Sequence, residues 1–200
     1  MTTIFRYSRA AILGLAVCIL ALALGACGNE APKFKSTDIT GADYGKTLEL
    51  TDHTGKPRHL EDFRGKVVVL FFGFTHCPDV CPTTLVDVAN TLKTLGAEAE
   101  RVQVLFVTVD PERDTQDALA RYVTAFDPRF LGLRGDAAAT QRAAKEFKIY
   151  FEKRKSGDTY SVDHSGQSYV IDAQGRLRLL VRPDRIGADL ADDLRVLLRG

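Results

Sequence analysis

The sequence predicts an α/β domain with a central sheet and helices on both faces. Two observations carry that reading. Lys66 to Phe74 (KVVVLFFGF) and Arg101 to Val109 (RVQVLFVTV) are unbroken apolar runs, the pattern of strands buried on both faces of a parallel sheet. Between and after them come segments with apolar residues at helical spacing, which gives the strand–helix alternation of a layered sheet.

The elements follow in chain order. Thr47 to Leu60 (TLELTDHTGKPRHL) reads as a hairpin turning at Thr54-Gly55-Lys56. The first apolar run is the next strand. Thr83 to Leu95 is a helix, with Leu85, Val88, Leu92 and Leu95 on one face. The second run ends at Asp110-Pro111-Glu112-Arg113-Asp114-Thr115, where Asp114 or Thr115 can cap a helix over Gln116 to Phe126. Asp136 to Phe147 is an alanine-rich helix. Phe147 to Arg154 and Ser168 to Asp172 read as strands, with a loop between them. Ala173-Gln174-Gly175 turns the chain into Arg176 to Arg182, and Ala188 to Arg199 is a closing amphipathic helix.

The first thirty residues concern location. Arg6 and Arg9 precede an apolar run from Ala10 to Ala26 that ends in small residues, the layout of a secretory signal. Leu24-Gly25-Ala26-Cys27 is similar to the lipobox of bacterial lipoproteins, which implies cleavage before Cys27 and a lipid on its thiol. The alternative is an uncleaved membrane anchor, the run being near the shortest that spans a bilayer. Either way the domain lies outside the cytoplasm beside a membrane. The expected division is a signal peptide over 1–26, a tether over 27–40 and one domain over 41–200.

Net charge is +1 and falls to about −1 without Arg6 and Arg9. A near-neutral domain has no electrostatic footprint for nucleic acid, so that class of partner is excluded. Of the four cysteines, Cys18 and Cys27 belong to the N-terminal segment. Cys77 and Cys81 remain in the domain. A disulfide over so short a loop would stabilise little, so a functional pair is the stronger reading than a structural staple. They lie where the first buried strand turns into a helix, with Cys77 near the N-cap and Cys81 in the first turn. The helix N-terminus should favour thiolate at both. Positions i and i+4 of a helix lie about 40° apart in azimuth and roughly 6 Å apart along the axis. That spacing permits either a disulfide or two soft ligands on one metal ion.

A third ligand must come from elsewhere. His53 and His59 lie in the early hairpin and read as solvated surface residues. His76 adjoins Cys77, and His164 lies in Tyr160-Ser161-Val162-Asp163-His164-Ser165-Gly166. Spacing alone does not choose between them.

Phe72-Gly73-Phe74-Thr75-His76-Cys77-Pro78-Asp79-Val80-Cys81-Pro82 resembles the signature of the Sco/SenC family. Val109 to Thr115 and Val162-Asp163-His164-Ser165 match two further motifs of that family, in order. The resemblance covers about Tyr44 to Leu198. It implies a thioredoxin-like three-layer fold, with a central mixed sheet flanked by helices and an N-terminal β-hairpin. It also implies a copper site of Cys77, Cys81 and His164, in which a late loop brings the imidazole to the thiols. Asp163 is a candidate to orient that imidazole, and Asp110 to support the site's loops. The expected function is a membrane-tethered metallochaperone that delivers copper, as Cu(I) or Cu(II), to the copper-bearing subunit of cytochrome c oxidase. Other copper chaperones are further candidate partners. The alternative is a thiol–disulfide oxidoreductase that reduces the oxidase's copper-site cysteines, with Cys77 and Cys81 as a redox-active pair. A peroxidase of related fold is a weaker third reading.

Overall fold

Strand β4 (Val67–Gly73) is buried at every position, because it is paired along both edges and covered on both faces. The computed structural model describes residues 32–199. The signal segment 1–26 and Cys27 lie outside the described residues. Within the unit beginning at Phe34, short strand β1 (Thr37–Asp38) is followed by a hairpin of β2 (Glu49–Asp52) and β3 (Pro57–His59). After β4 come α1 (Val80–Leu95), β5 (Val102–Thr108), α2 (Gln116–Thr124), β6 (Leu131–Arg134) and α3 (Ala137–Glu146). A second hairpin, β7 (Phe151–Ser156) and β8 (Thr159–His164), precedes β9 (Ser168–Ile171), β10 (Leu177–Val181) and α4 (Ile186–Arg199).

The main sheet has the order β1-β10-β9-β4-β5-β6-β2-β3. Strands β4, β5 and β6 run parallel, whereas β9 joins β4 antiparallel. This is the expected mixed sheet flanked by helices: α1 packs on α4, α2 on β6 and α3 on β2. The early hairpin is the edge of the same sheet, since β2 pairs with β6. Of the two candidate caps for α2, Thr115 is the one used, and Asp136 caps α3 in the same way. Thr115 Oγ1 accepts from Ala118 N at 3.2 Å, and Asp136 Oδ1 from Ala139 N at 2.7 Å.

Two hairpins close on the same device. In β2–β3, Asp52 Oδ1 accepts from the backbone N–H of Thr54 and Lys56, and Oδ2 from Arg58 Nε at 2.7 Å. In β9–β10, Asp172 Oδ1 accepts from the N–H of Gln174 and Arg176, and Oδ2 from Arg178 Nη1 at 3.0 Å. Gly55 and Gly175 supply the positive φ, +89° and +80°. Burial pushes the Asp52 carboxyl up, but the hydrogen bonds from Thr54, Arg58 and Lys56 outweigh it and hold the group at about 2. Asp172 is held low by the same opposition, burial against the Arg176 N–H and the guanidinium groups of Arg178 and Arg176. The shared spacing Asp-x-x-Gly-(Lys/Arg)-x-Arg is visible in the sequence once the pairing is known.

Four expectations change. The first helix starts at Val80, one turn before Thr83, because Val80 and Cys81 take up helical geometry ahead of Pro82. Leu131–Arg134 is a strand with no counterpart among the expected elements, because four residues are too few for alternation to mark it. The segment 159–164 is strand β8 and not loop, while Phe147 ends α3 and Lys148 turns the chain with φ 52°. Residues 34–40, expected to be tether, are docked. Asp193 accepts from the backbone N–H of Lys35 and Ser36 at 2.7 and 2.9 Å, and β1 pairs with β10.

Candidate metal centre

Strand β4 ends at Gly73 beneath the start of α1. A Cβ on Gly73 would lie 2.8 Å from the Phe106 ring and 2.9 Å from Cys81 Sγ, so only glycine lets the helix sit this close. Asp114, wholly buried, ties the following turn down. Its carboxylate accepts from Thr75 N at 3.0 Å, from Thr75 Oγ1 at 2.6 Å and from Thr108 Oγ1 at 2.6 Å. Thr75-His76-Cys77 is thereby fixed against the end of β5.

The helix is capped by sulfur. Asp79 is the N-cap residue, but its side chain makes no capping bond. Cys77 Sγ instead accepts from Cys81 N at 3.4 Å. Cys77 is half-buried and Cys81 fully buried; both are free thiols. Their protonation is asymmetric, which corrects the expectation that both favour thiolate. The Cys81 thiol, as hydrogen-bond donor, lowers the Cys77 pKa to about 4 against the opposing effect of burial. The backbone N–H groups of Asp79 and Cys81 add to the lowering. Cys81, retained as that donor and buried, is pushed up.

His164 is the last residue of β8, where the inward alternation Tyr160, Val162, His164 delivers it to the thiols. Its ring meets Phe71 and Phe74 edge-on, with centroids 6.2 and 5.8 Å apart. Nδ1 lies 2.8 Å from the Ser165 carbonyl oxygen. A carbonyl only accepts, so Nδ1 carries the proton and Nε2 presents a lone pair. Nε2 is 3.5 Å from Cys81 Sγ.

The three donor atoms of Cys77, Cys81 and His164 all lie within 4.8 Å of one another. Ligands bonded at about 2.0–2.3 Å to one ion stand about 4 Å apart in a trigonal plane, so the atoms need only close slightly. Two sulfurs and an imidazole fit a soft or borderline ion, and the exposed side of Cys77 leaves it reachable. The fold therefore brings together the three residues that the family resemblance implies as ligands.

The other candidates go elsewhere. Asp163 points to the opposite side of β8 and pairs with Arg154 at 3.1 Å, because successive strand residues face opposite ways. It does not orient the imidazole; the Ser165 carbonyl does. His76 is exposed, 3.1 Å from Thr75 Oγ1 and outside the donor cluster. His59 is exposed as expected, but His53 is not merely solvated: Nδ1 accepts from Gly132 N at 3.1 Å and joins the hairpin to β6. Asp110 is buried, accepts from Arg113 Nε and from Tyr160 Oη, and supports the site's surroundings as expected. Ser165 lies within a quoted motif, but neither its residue type nor that of Tyr160 points to its role, because both act through folded geometry.

The SCO1/SenC family model matches residues 36–199. The chain belongs to the SCO1/SenC family. It is 43% identical over 132 residues to the mitochondrial SCO2 homolog of Mus musculus, covering 64% of this chain and 52% of that protein, so the match spans about half the relative's length. Among solved structures it is similar to Bradyrhizobium japonicum ScoI with copper bound. The TM-score is 0.72 at 36% identity, over 77% of this chain and 99% of that one. A SCO1/SenC family lipoprotein from Bacillus anthracis is also similar, with TM-score 0.68 at 25% identity over 84% and 98% of the two chains. The thioredoxin-like fold follows from these family likenesses. No helix among the described residues is long and apolar enough to cross a membrane.

Proposed function

We propose that this chain is a membrane-tethered metallochaperone that holds copper between Cys77, Cys81 and His164 and passes it to the copper-bearing subunit of cytochrome c oxidase. The observation that carries the reading is the converging donor set: two sulfurs at a helix start and an Nε2 lone pair on a separate hairpin, within 4.8 Å. Soft thiolates favour Cu(I) and the imidazole suits copper in either state. Family membership and the copper-bound ScoI support the choice of copper. Copper leaves by ligand exchange, with a partner's donors entering from the half-exposed Cys77 and His164 side.

In this reading residues 1–26 are a signal peptide, Cys27 carries lipid and a short tether after it holds the domain, which begins at Phe34, at the outer face of the bacterial cytoplasmic membrane. The similar B. anthracis lipoprotein supports it. Mass spectrometry of the membrane form should find diacylglycerol on Cys27; an intact Met1 terminus without lipid would instead mean an uncleaved anchor.

A second reading, thiol–disulfide exchange, is favoured by the asymmetric thiols. The Cys77 thiolate would attack a partner disulfide and form a mixed disulfide, releasing one partner thiolate. Cys81 would then lose its proton and displace the second, leaving a Cys77–Cys81 disulfide and a reduced partner. Copper titration of the reduced protein tests the leading reading, with about one ion per chain expected. Complementation with His164→Ala separates the two. Lost oxidase activity with intact dithiol chemistry supports copper delivery; full restoration under copper limitation would hand the role to the reductase.

A further inference from the structure

Among the described residues, strands β7 and β8 pair only with each other, in a two-stranded sheet separate from the main one. No ladder hydrogen bond therefore fixes the register of His164 against β4 and α1. The bonds at the open end of the hairpin, Ser165 N to Tyr150 O at 3.0 Å and Tyr150 N to Ser165 Oγ at 3.1 Å, join its two ends to each other. Buried Val162 and half-buried Phe151 give apolar contact, which is not directional.

The directional connection lies at Tyr160, on the inward face shared with His164. Tyr160 Oη donates to Asp110 Oδ1 at 2.8 Å. Arg113 Nε donates to the other oxygen of the same buried carboxylate, and Arg113 Nη1 donates to the Tyr160 carbonyl at 2.9 Å. The guanidinium carbon stacks 3.8 Å from the Tyr160 ring centroid, while Lys153 Nζ, paired with Glu112 at 2.6 Å, lies 4.7 Å from that centroid. Arg113 is also 5.8 Å from the Phe74 ring, which packs edge-on against His164. Its Nη2 is buried without a hydrogen-bond partner, a cost accepted while Nε and Nη1 join the loop after β5 to the hairpin.

We propose that Arg113 and Tyr160 are positioning residues for His164: they latch the β7–β8 hairpin to the buried Asp110 and so hold the imidazole against the cysteine pair. Neither touches the donor atoms. The latch fixes one end of β8, and four residues of extended strand, roughly 13 Å, set where the other end falls. A guanidinium that both stacks and forks is not replaced by lysine, so Arg113→Lys should behave as a loss of the latch. The inference rests on the metal-site reading above only for its copper readout.

The test uses the full chain in detergent. In the metal-free protein, long-range nitrogen NMR of His164 should show a single tautomer with the proton on Nδ1. Arg113→Ala and Arg113→Lys should turn this into exchange between tautomers. Copper competition titrations then form a double-mutant cycle with His164→Ala. Arg113→Ala should weaken copper binding about tenfold when His164 is present and leave it unchanged when His164 is absent. Equal weakening in both backgrounds would overturn the proposal, since the residue would then act on the thiols or the fold. An unaltered tautomer and affinity would overturn it too. Should Arg113→Ala fail to fold, Tyr160→Phe removes a single hydrogen bond and should give a smaller change of the same kind. If His164→Ala itself leaves copper affinity intact, the ligand reading fails while the tautomer measurement still decides the latch.

Discussion

Cys81 lies in the first turn of α1, packed against the end of a strand buried at every position and paired along both edges, whereas His164 ends a hairpin that, among the described residues, pairs only with itself. The thiol region is held by apolar packing, by the closeness that Gly73 permits and by Asp114 beneath the turn. The imidazole region is held by a few polar contacts through Tyr160 and by two aromatic edges. Local opening free energy follows burial and pairing, so the two parts of one site should differ in stability. A centre assembled from a rigid half and a lightly held half can keep its sulfurs in place while the imidazole lets go. That division suits transfer of an ion better than permanent retention.

The largest effects should come from the rigid half. Cys77→Ser and Cys81→Ser should each remove tight copper binding in a competition titration, since one sulfur and one nitrogen under-coordinate the ion. Wild-type affinity in either variant would break the comparison at its base. His164→Ala should cost less, more than about tenfold in copper affinity and most for Cu(II), while disulfide formation between Cys77 and Cys81 proceeds as in the wild type. An equal loss for Cu(I) and Cu(II) would mean that the hairpin contributes more than a nitrogen ligand.

Gly73→Ala should destabilise the fold by about 2 kcal/mol through overpacking, read as a lowered denaturation midpoint. Its added Cβ meets Phe106, Cys81 and Phe71 within 3.0 Å. A neutral result would mean that the junction is softer than its packing indicates. The smallest expected change concerns pH. With Cys77 held at about 4, its thiolate fraction is nearly full at neutral pH. Alkylation of Cys77 in the metal-free protein should therefore stay nearly flat from pH 6 to 8, falling only as pH drops toward 4. The denatured chain, with thiols near the ordinary 9.0, should react about tenfold faster per pH unit over the same range. A steep native profile would show that the Cys81 thiol does not stabilise its neighbour.

Much of the rigid half is legible in the chain. The apolar runs over β4 and β5 read as buried strands because continuous burial needs no partner to be named. Pro82 fell in a first helical turn as its missing N–H allows. The hairpin half was far less legible. Thr159–His164 alternates exposed, half-buried and buried positions, but its polar residues and the charged Phe151–Ser156 beside it carry little apolar signal. Asp163 drew attention as a neighbour of His164, yet strand alternation turns it toward Arg154. The residue that orients the ring, Ser165, does so with a backbone carbonyl that every residue has.

The sequence by itself determined the pair of thiols at a strand–helix junction, because four-residue spacing at a helix start is a local property. It determined the order of the longer strands and helices, though not β1, β6 or β8, and, through motif resemblance, the family. Only the tertiary structure decided that one thiol is held as donor to the other, since burial of Cys81 and exposure of Cys77 depend on what packs around them. Only it decided which face of β8 meets the cysteines and what pins that face down. His164 lies 83 residues from Cys81, and a contact across that distance exists only once the sheet between them has formed.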